Sequence, residues 1–270
     1  MPKGKDQNYQ FFLAIADKCW QSLKIRNLRH YSFTLQFYSI FLMTILNLLK
    51  TSPVTKQSGH PLKITAFGDS LVYGYGDPLH GGWAELLRRR WMGSANGHIL
   101  YNLGVRGDTT AQVNQRLEQE FLWRGELRNR VPDLLILAVG VNDSPRLGKR
   151  DSKSMTTFDR FTLEMANLLD KAQRLCPVIF VGMVPVDESK MPFLDCFYFN
   201  HDDQFRYKEF TKSACQSRDI PYLDLFDLWQ SRGADWCSDR LCDDGLHPNS
   251  DGYRSIYEDI CQWQPMMQLQ

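Results

Sequence analysis

The segment Asp244-Gly245-Leu246-His247-Pro248 places a carboxylate three residues before an imidazole, a spacing at which the acid reaches the near ring nitrogen. The far nitrogen is then free to take a proton from a hydroxyl. Ser70, in Gly68-Asp69-Ser70, supplies one directly after an apolar run that reads as a strand. Nucleophile, base and orienting acid are the parts of acyl transfer through a serine.

Residues this far apart need a fold that returns them to one place. Beyond residue 61, short apolar runs alternate with longer amphipathic ones. The strand candidates are Leu62–Phe67, Ile99–Leu103, Leu134–Val139, Val178–Met183 and Tyr222–Leu225. The helix candidates are Gly82–Met92, Thr109–Trp123, Thr156–Leu175, Gln204–Ser217 and Ser250–Trp263. This alternation predicts a parallel sheet with helices on both faces. Leu134 to Val139 is apolar throughout, as a strand covered on both sides must be. In such sheets functional groups gather beyond the carboxyl ends of the strands. Ser70 follows the first strand, Gly104 and Gly107 the second and Asn142 the third, while Asp244 and His247 precede the last helix.

Four blocks in this order, Gly68-Asp69-Ser70, the glycine block ending at Gly107, Gly140-Val141-Asn142-Asp143 and Asp244-Gly245-Leu246-His247, make the chain resemble the SGNH hydrolases, the GDSL-type lipase and esterase family. The resemblance covers roughly residues 62–264. It implies a flavodoxin-like three-layer α/β/α sandwich with five parallel strands, and ester hydrolysis without a metal or organic cofactor. It also implies roles. Ser70 is the expected nucleophile, His247 the general base and then acid, and Asp244 the orienting acid, with Asp243 the alternative. The backbone N–H groups of Ser70 and Gly107 and the side-chain amide of Asn142 are expected to form the oxyanion hole. Within the same chemistry, a sugar or cell-envelope O-acetyl esterase and an acyltransferase stay open. A non-catalytic binding module fits poorly with the intact residue set.

Other features narrow the reading. Val72 stands where the α/β-hydrolase elbow needs a glycine two residues after its serine. Gly74-Tyr75-Gly76 is followed by Asp77-Pro78, which breaks a dinucleotide-binding pattern, so those glycines read as loop flexibility near the pocket. Net charge is +1, with no global field for nucleic acid. Arg88-Arg89-Arg90 reads as the solvated end of a helix. Seven cysteines of irregular spacing, with no C-x-x-C, read as reduced thiols, with Cys237 and Cys242 close enough to bridge in an oxidising compartment. Phe193, Phe197, Tyr198 and Phe199 are either an apolar wall for an acyl group or core residues.

The expected organisation is an extension over residues 1–60 and a hydrolase domain over 61–270. Tyr31–Leu49 carries no charge over 19 residues and follows Lys24, Arg26 and Arg29. Its length suits a membrane span, but its polar residues fall along one stripe, which suits a surface or protein-packed helix as well. An extension of low order is the third reading. Membrane association through this segment, and with it a cytoplasmic or membrane-associated location, stay open, as does the oligomeric state. The expected partner is a small-molecule ester.

Overall fold

The computed structural model describes residues 61–93, 97–124 and 131–269. Tyr31–Leu49 and the rest of residues 1–60 lie outside them. Among the described residues no helix is long and apolar enough to cross a membrane.

Five strands form one parallel sheet: β1 (Lys63–Gly68), β2 (Ile99–Gly104), β3 (Leu134–Ala138), β5 (Val178–Val181) and β7 (Tyr222–Leu223), in the order β2-β1-β3-β5-β7. The first strand lies inside the sheet, next to the β2 edge, and the order reverses beside it, which is the flavodoxin-like arrangement. A separate antiparallel pair joins β4 (Arg146–Leu147) to β6 (Phe197–Tyr198). Every residue of β1 is buried, so both of its faces are covered. β2, at the edge, alternates between buried and more exposed positions.

The helices gather in two groups. One holds α2 (Trp83–Met92), which packs on β2, with α8 (Ser250–Gln262) and α9 (Gln264–Met267). The other holds α3 (Thr110–Leu122), α4 (Phe158–Leu175) and α5 (His201–Gln216), packed in series, with α3 also against β1. The amphipathic pattern explains α4: Phe161, Met165, Leu168, Leu169 and Ala172 recur at helical spacing and are buried. Its start is set by Thr157, whose side chain accepts from Arg160 N. Asn200 and Asn249 cap α5 and α8 in the same way, each accepting from the N–H three residues on. Arg88 and Arg89 sit in the last two turns of α2 and pair with Glu85, as the solvated end of a helix should.

Where the sequence-based bounds differ, short-range chemistry is the reason. The expected strand Tyr222–Leu225 ends at Leu223, because the Asp224 carboxylate accepts from Asp227 N and starts helix α6 (Leu225–Gln230). α5 begins three residues before the expected Gln204, at the residue after its Asn200 cap. The short helices α1 (Ser70–Tyr73), α6, α7 (Ala234–Ser238) and α9 span too few residues to show a periodicity. Cys237 and Cys242 do not bridge to each other; both are free thiols.

Candidate active site

The loops after β1, β2 and β3 meet because these strands are neighbours. Ser70 is the first residue of α1, directly beyond β1, and is 4% exposed. The helix cap is Asp69, whose carboxylate accepts from Leu71 N at 2.9 Å. Ser70 Oγ is therefore not spent on capping. It lies 2.9 Å from His247 Nε2. His247 Nδ1 lies 2.7 Å from Asp244 Oδ2, and Asp244 Oδ1 accepts from the N–H groups of Leu246 and His247. The acid that meets the ring is Asp244, not Asp243.

Electrostatics fix the tautomer. Burial pushes the Asp244 carboxyl up, but the His247 ring and the two backbone N–H groups outweigh it and hold the group below the ordinary carboxylate value. An ionised carboxylate only accepts, so Nδ1 carries the proton and Nε2 offers its lone pair to the Ser70 hydroxyl. The ring is flanked by Tyr75, with centroids 4.6 Å apart, and by Phe193, at 5.6 Å, both edge-on.

Gly107 adopts φ +82° in the turn after β2, a backbone that side chains disfavour, with open space where a Cβ would stand. Asn142 lies in the 3-10 turn Val141–Asp143 after β3. Its Nδ2 donates to Asp108 O at 3.0 Å, which ties the third loop to the Gly107 turn and leaves the second amide hydrogen unused by that bond. Val105 N in turn donates to Gly68 O at 3.0 Å. All five expected site residues are thus on converging loops, and Ser70, His247 and Asp244 form one connected chain.

Several groups that hold this arrangement were not expected. Arg116 donates to Gly68 O at 2.9 Å and pairs with Asp108 at 2.7 Å. It sits beside the buried stripe of Val113, Leu117 and Phe121 on α3, and a cation at the border of an apolar stripe was the available hint. Asn102 Nδ2 donates to Val72 O at 2.8 Å, and the Tyr253 hydroxyl to Tyr75 O at 2.9 Å. Thr110 donates its N–H and hydroxyl to Asp143 Oδ2, both at 2.8 Å. Burial raises the Asp143 carboxyl, and it raises Asp69 to about 7, against the Leu71 N–H and with help from the charges of Asp143 and Asp108.

Two expectations need correction or division. Gly74 and Gly76 are not there for flexibility. They have φ +89° and +97°, and an added Cβ would stand 2.0 Å from Gly81 O and 2.7 Å from Pro248 O respectively. They let the backbone pack closely. The aromatics after β5 divide between the two readings: Phe199 is buried in the core, whereas Phe193 reaches His247.

Glu209, Asp224 and Asp227 bring three carboxylates together away from these loops, but the Lys208 ammonium pairs with all three. This cluster is an ion-pair network.

Residues 66–255 match the model of the GDSL-like lipase/acylhydrolase family. An arylesterase of Vibrio mimicus is 24% identical over 200 residues, which cover 74% of this chain and 86% of that protein. A lipase/acylhydrolase from Enterococcus faecalis superimposes with a TM-score of 0.59 at 23% identity, covering 74% of this chain and 93% of that one. A variant of an acetyl xylan esterase from Geobacillus stearothermophilus does so with a TM-score of 0.57 at 14% identity, covering 76% and 96%. Both structures share the fold of this chain. With the family match spanning most of its length, the chain belongs to the GDSL-like lipases and acylhydrolases.

Proposed function

We propose that the protein hydrolyses carboxylic esters through an acyl-enzyme formed on Ser70. The observation that carries this reading is the unbroken chain from Ser70 Oγ to His247 at 2.9 Å and from His247 to Asp244 at 2.7 Å. His247 Nε2 takes the hydroxyl proton as Oγ attacks the ester carbonyl. Asp244 stabilises the imidazolium that forms. The carbonyl oxygen becomes an oxyanion, received by Ser70 N–H, Gly107 N–H and the free hydrogen of the Asn142 amide. As the first residue of α1, Ser70 has no intrahelical acceptor for its N–H. His247 returns the proton to the leaving alcohol, and water then releases the acid by the same steps in reverse.

Similarity to an arylesterase and an acetyl xylan esterase favours esters of short acids, such as aryl acetates. The test is a p-nitrophenyl ester series from acetate to palmitate, with wild type and Ser70→Ala. Turnover is expected to fall by about 10⁴-fold or more in the variant, with the optimum at the short end. Equal rates in the two proteins would exclude Ser70 as the nucleophile.

A further inference from the structure

Arg106 has no task in that mechanism, yet it stands beside the site. It is exposed, adjoins Gly107, and its Cζ lies 3.7 Å from the centroid of the Tyr75 ring. Tyr75 in turn meets the His247 ring edge-on at 4.6 Å. Stacking on an aromatic face holds a guanidinium in one orientation and leaves its N–H edges open. No carboxylate among the described residues pairs with it, and the nearest acid along the chain, Asp108, is taken by Arg116 at 2.7 Å. Among the described residues, the site thus carries a stacked cation with no ion-paired carboxylate. Because His247 returns its proton to the leaving alcohol, the groups packed on its ring border the alcohol half of the ester.

We propose that Arg106, held by Tyr75, is a specificity determinant that binds an anionic group, carboxylate or phosphate, on the alcohol half of the substrate. This assignment rests on the serine-esterase reading above. A charge in this position favours binding of anionic esters over neutral ones of the same shape, and its effect weakens as salt rises.

The test measures acetate release from 4-acetoxybenzoate and from 4-acetoxybenzamide, its neutral counterpart, with 4-acetoxyphenyl phosphate as a second anionic arm. The charged-over-neutral ratio of kcat/KM cancels effects of a variant common to both esters. In Arg106→Gln this ratio is expected to fall about fivefold in at least one anionic arm, chiefly through KM. Arg106→Lys keeps the charge without the flat stack and is expected to regain part of the ratio. In wild type the ratio is expected to decline with added salt. A ratio unchanged by Arg106→Gln in both arms overturns the assignment. Ser70→Ala separates the two claims: persistent release of acetate from the benzamide would remove the Ser70 mechanism on which the proposal rests, whereas Ser70-dependent release with an unchanged ratio removes only Arg106.

Discussion

The turn that carries Ser70 and the loop that carries Phe193 both touch His247, but they are held in different ways. The Ser70 turn is gripped from outside itself. Arg116 and Val105 bond Gly68 O, Asn102 bonds Val72 O, and Tyr253 bonds Tyr75 O. The backbone around it is so close that a Cβ on Gly104 would stand 2.2 Å from Tyr73 N. The Phe193 loop is held by its own backbone bonds and by the pairing of β6 with β4. Phe193 and Phe197 exchange backbone bonds at 2.8 and 2.9 Å, and Gly148 N adds one to Cys196 O. Leu194 and Asp195 adopt φ of +51° and +59°, and Leu194 is 68% exposed. The difference teaches that the proposed nucleophile sits on backbone braced by side chains from several other elements, while the apolar rim of the site rests on a loop held chiefly by backbone pairing.

That contrast sets the size of the expected effects. Asn142 belongs to the braced side, and Asn142→Ala is expected to lower kcat by about 10²- to 10³-fold, about 3 kcal/mol, with a loss of stability of only about 1 kcal/mol from the missing bond to Asp108 O. Near-wild-type turnover would take Asn142 out of the oxyanion hole. Gly104→Ala forces a methyl into backbone and is expected to destabilise by about 3 kcal/mol. A fully stable variant, in a denaturant titration, would mean that the turn is not tightly packed.

Asp69 probes the same turn through pH. Its folded pKa of about 7 lies above the ordinary 3.8, so the folded protein holds a proton that the unfolded chain has lost. Stability from this group is therefore full below about 3.8 and falls as pH rises towards about 7. Asp69→Asn keeps an acceptor for Leu71 N and removes the ionisation. The variant is expected to lack this fall and to exceed wild type above pH 7 by on the order of 4 kcal/mol. Parallel stability–pH curves for the two proteins would refute the raised value.

The smallest effect belongs to the other region. Leu194→Gly relieves a left-handed backbone that costs a side chain about 1 kcal/mol, partly offset by glycine's greater freedom in the unfolded chain. The expected result is a stability change within about 1 kcal/mol and less than a threefold change in kcat for acetate esters. A loss of activity as large as that of Asn142→Ala would show that the loop is as much a part of the catalytic frame as the Ser70 turn.

The two regions also differed in how far sequence alone revealed them. Parallel strands and long helices were legible because burial on two faces and on one stripe leaves different periodicities, as in Leu134–Ala138 and Phe158–Leu175. The residues proposed to react are legible because Asp244 and His247 lie three apart on one loop, where the geometry is local. The braces were not. Asn102, Arg116 and Tyr253 act on backbone carbonyls 30 to 178 residues away, and a carbonyl leaves no mark in the sequence. The role of Gly76 is hidden for the same reason, since it packs on Pro248 and Cys242, which only the fold brings near, whereas Gly74 packs on Gly81 of its own loop.

Covalent trapping tests the central assignment most directly. A fluorophosphonate added to the folded protein, followed by proteolysis and mass analysis, is expected to give one adduct per chain on the peptide containing Ser70, formed far more slowly in His247→Ala. Loss of esterase activity with Ser70 unmodified, or modification of a different residue, would contradict the account.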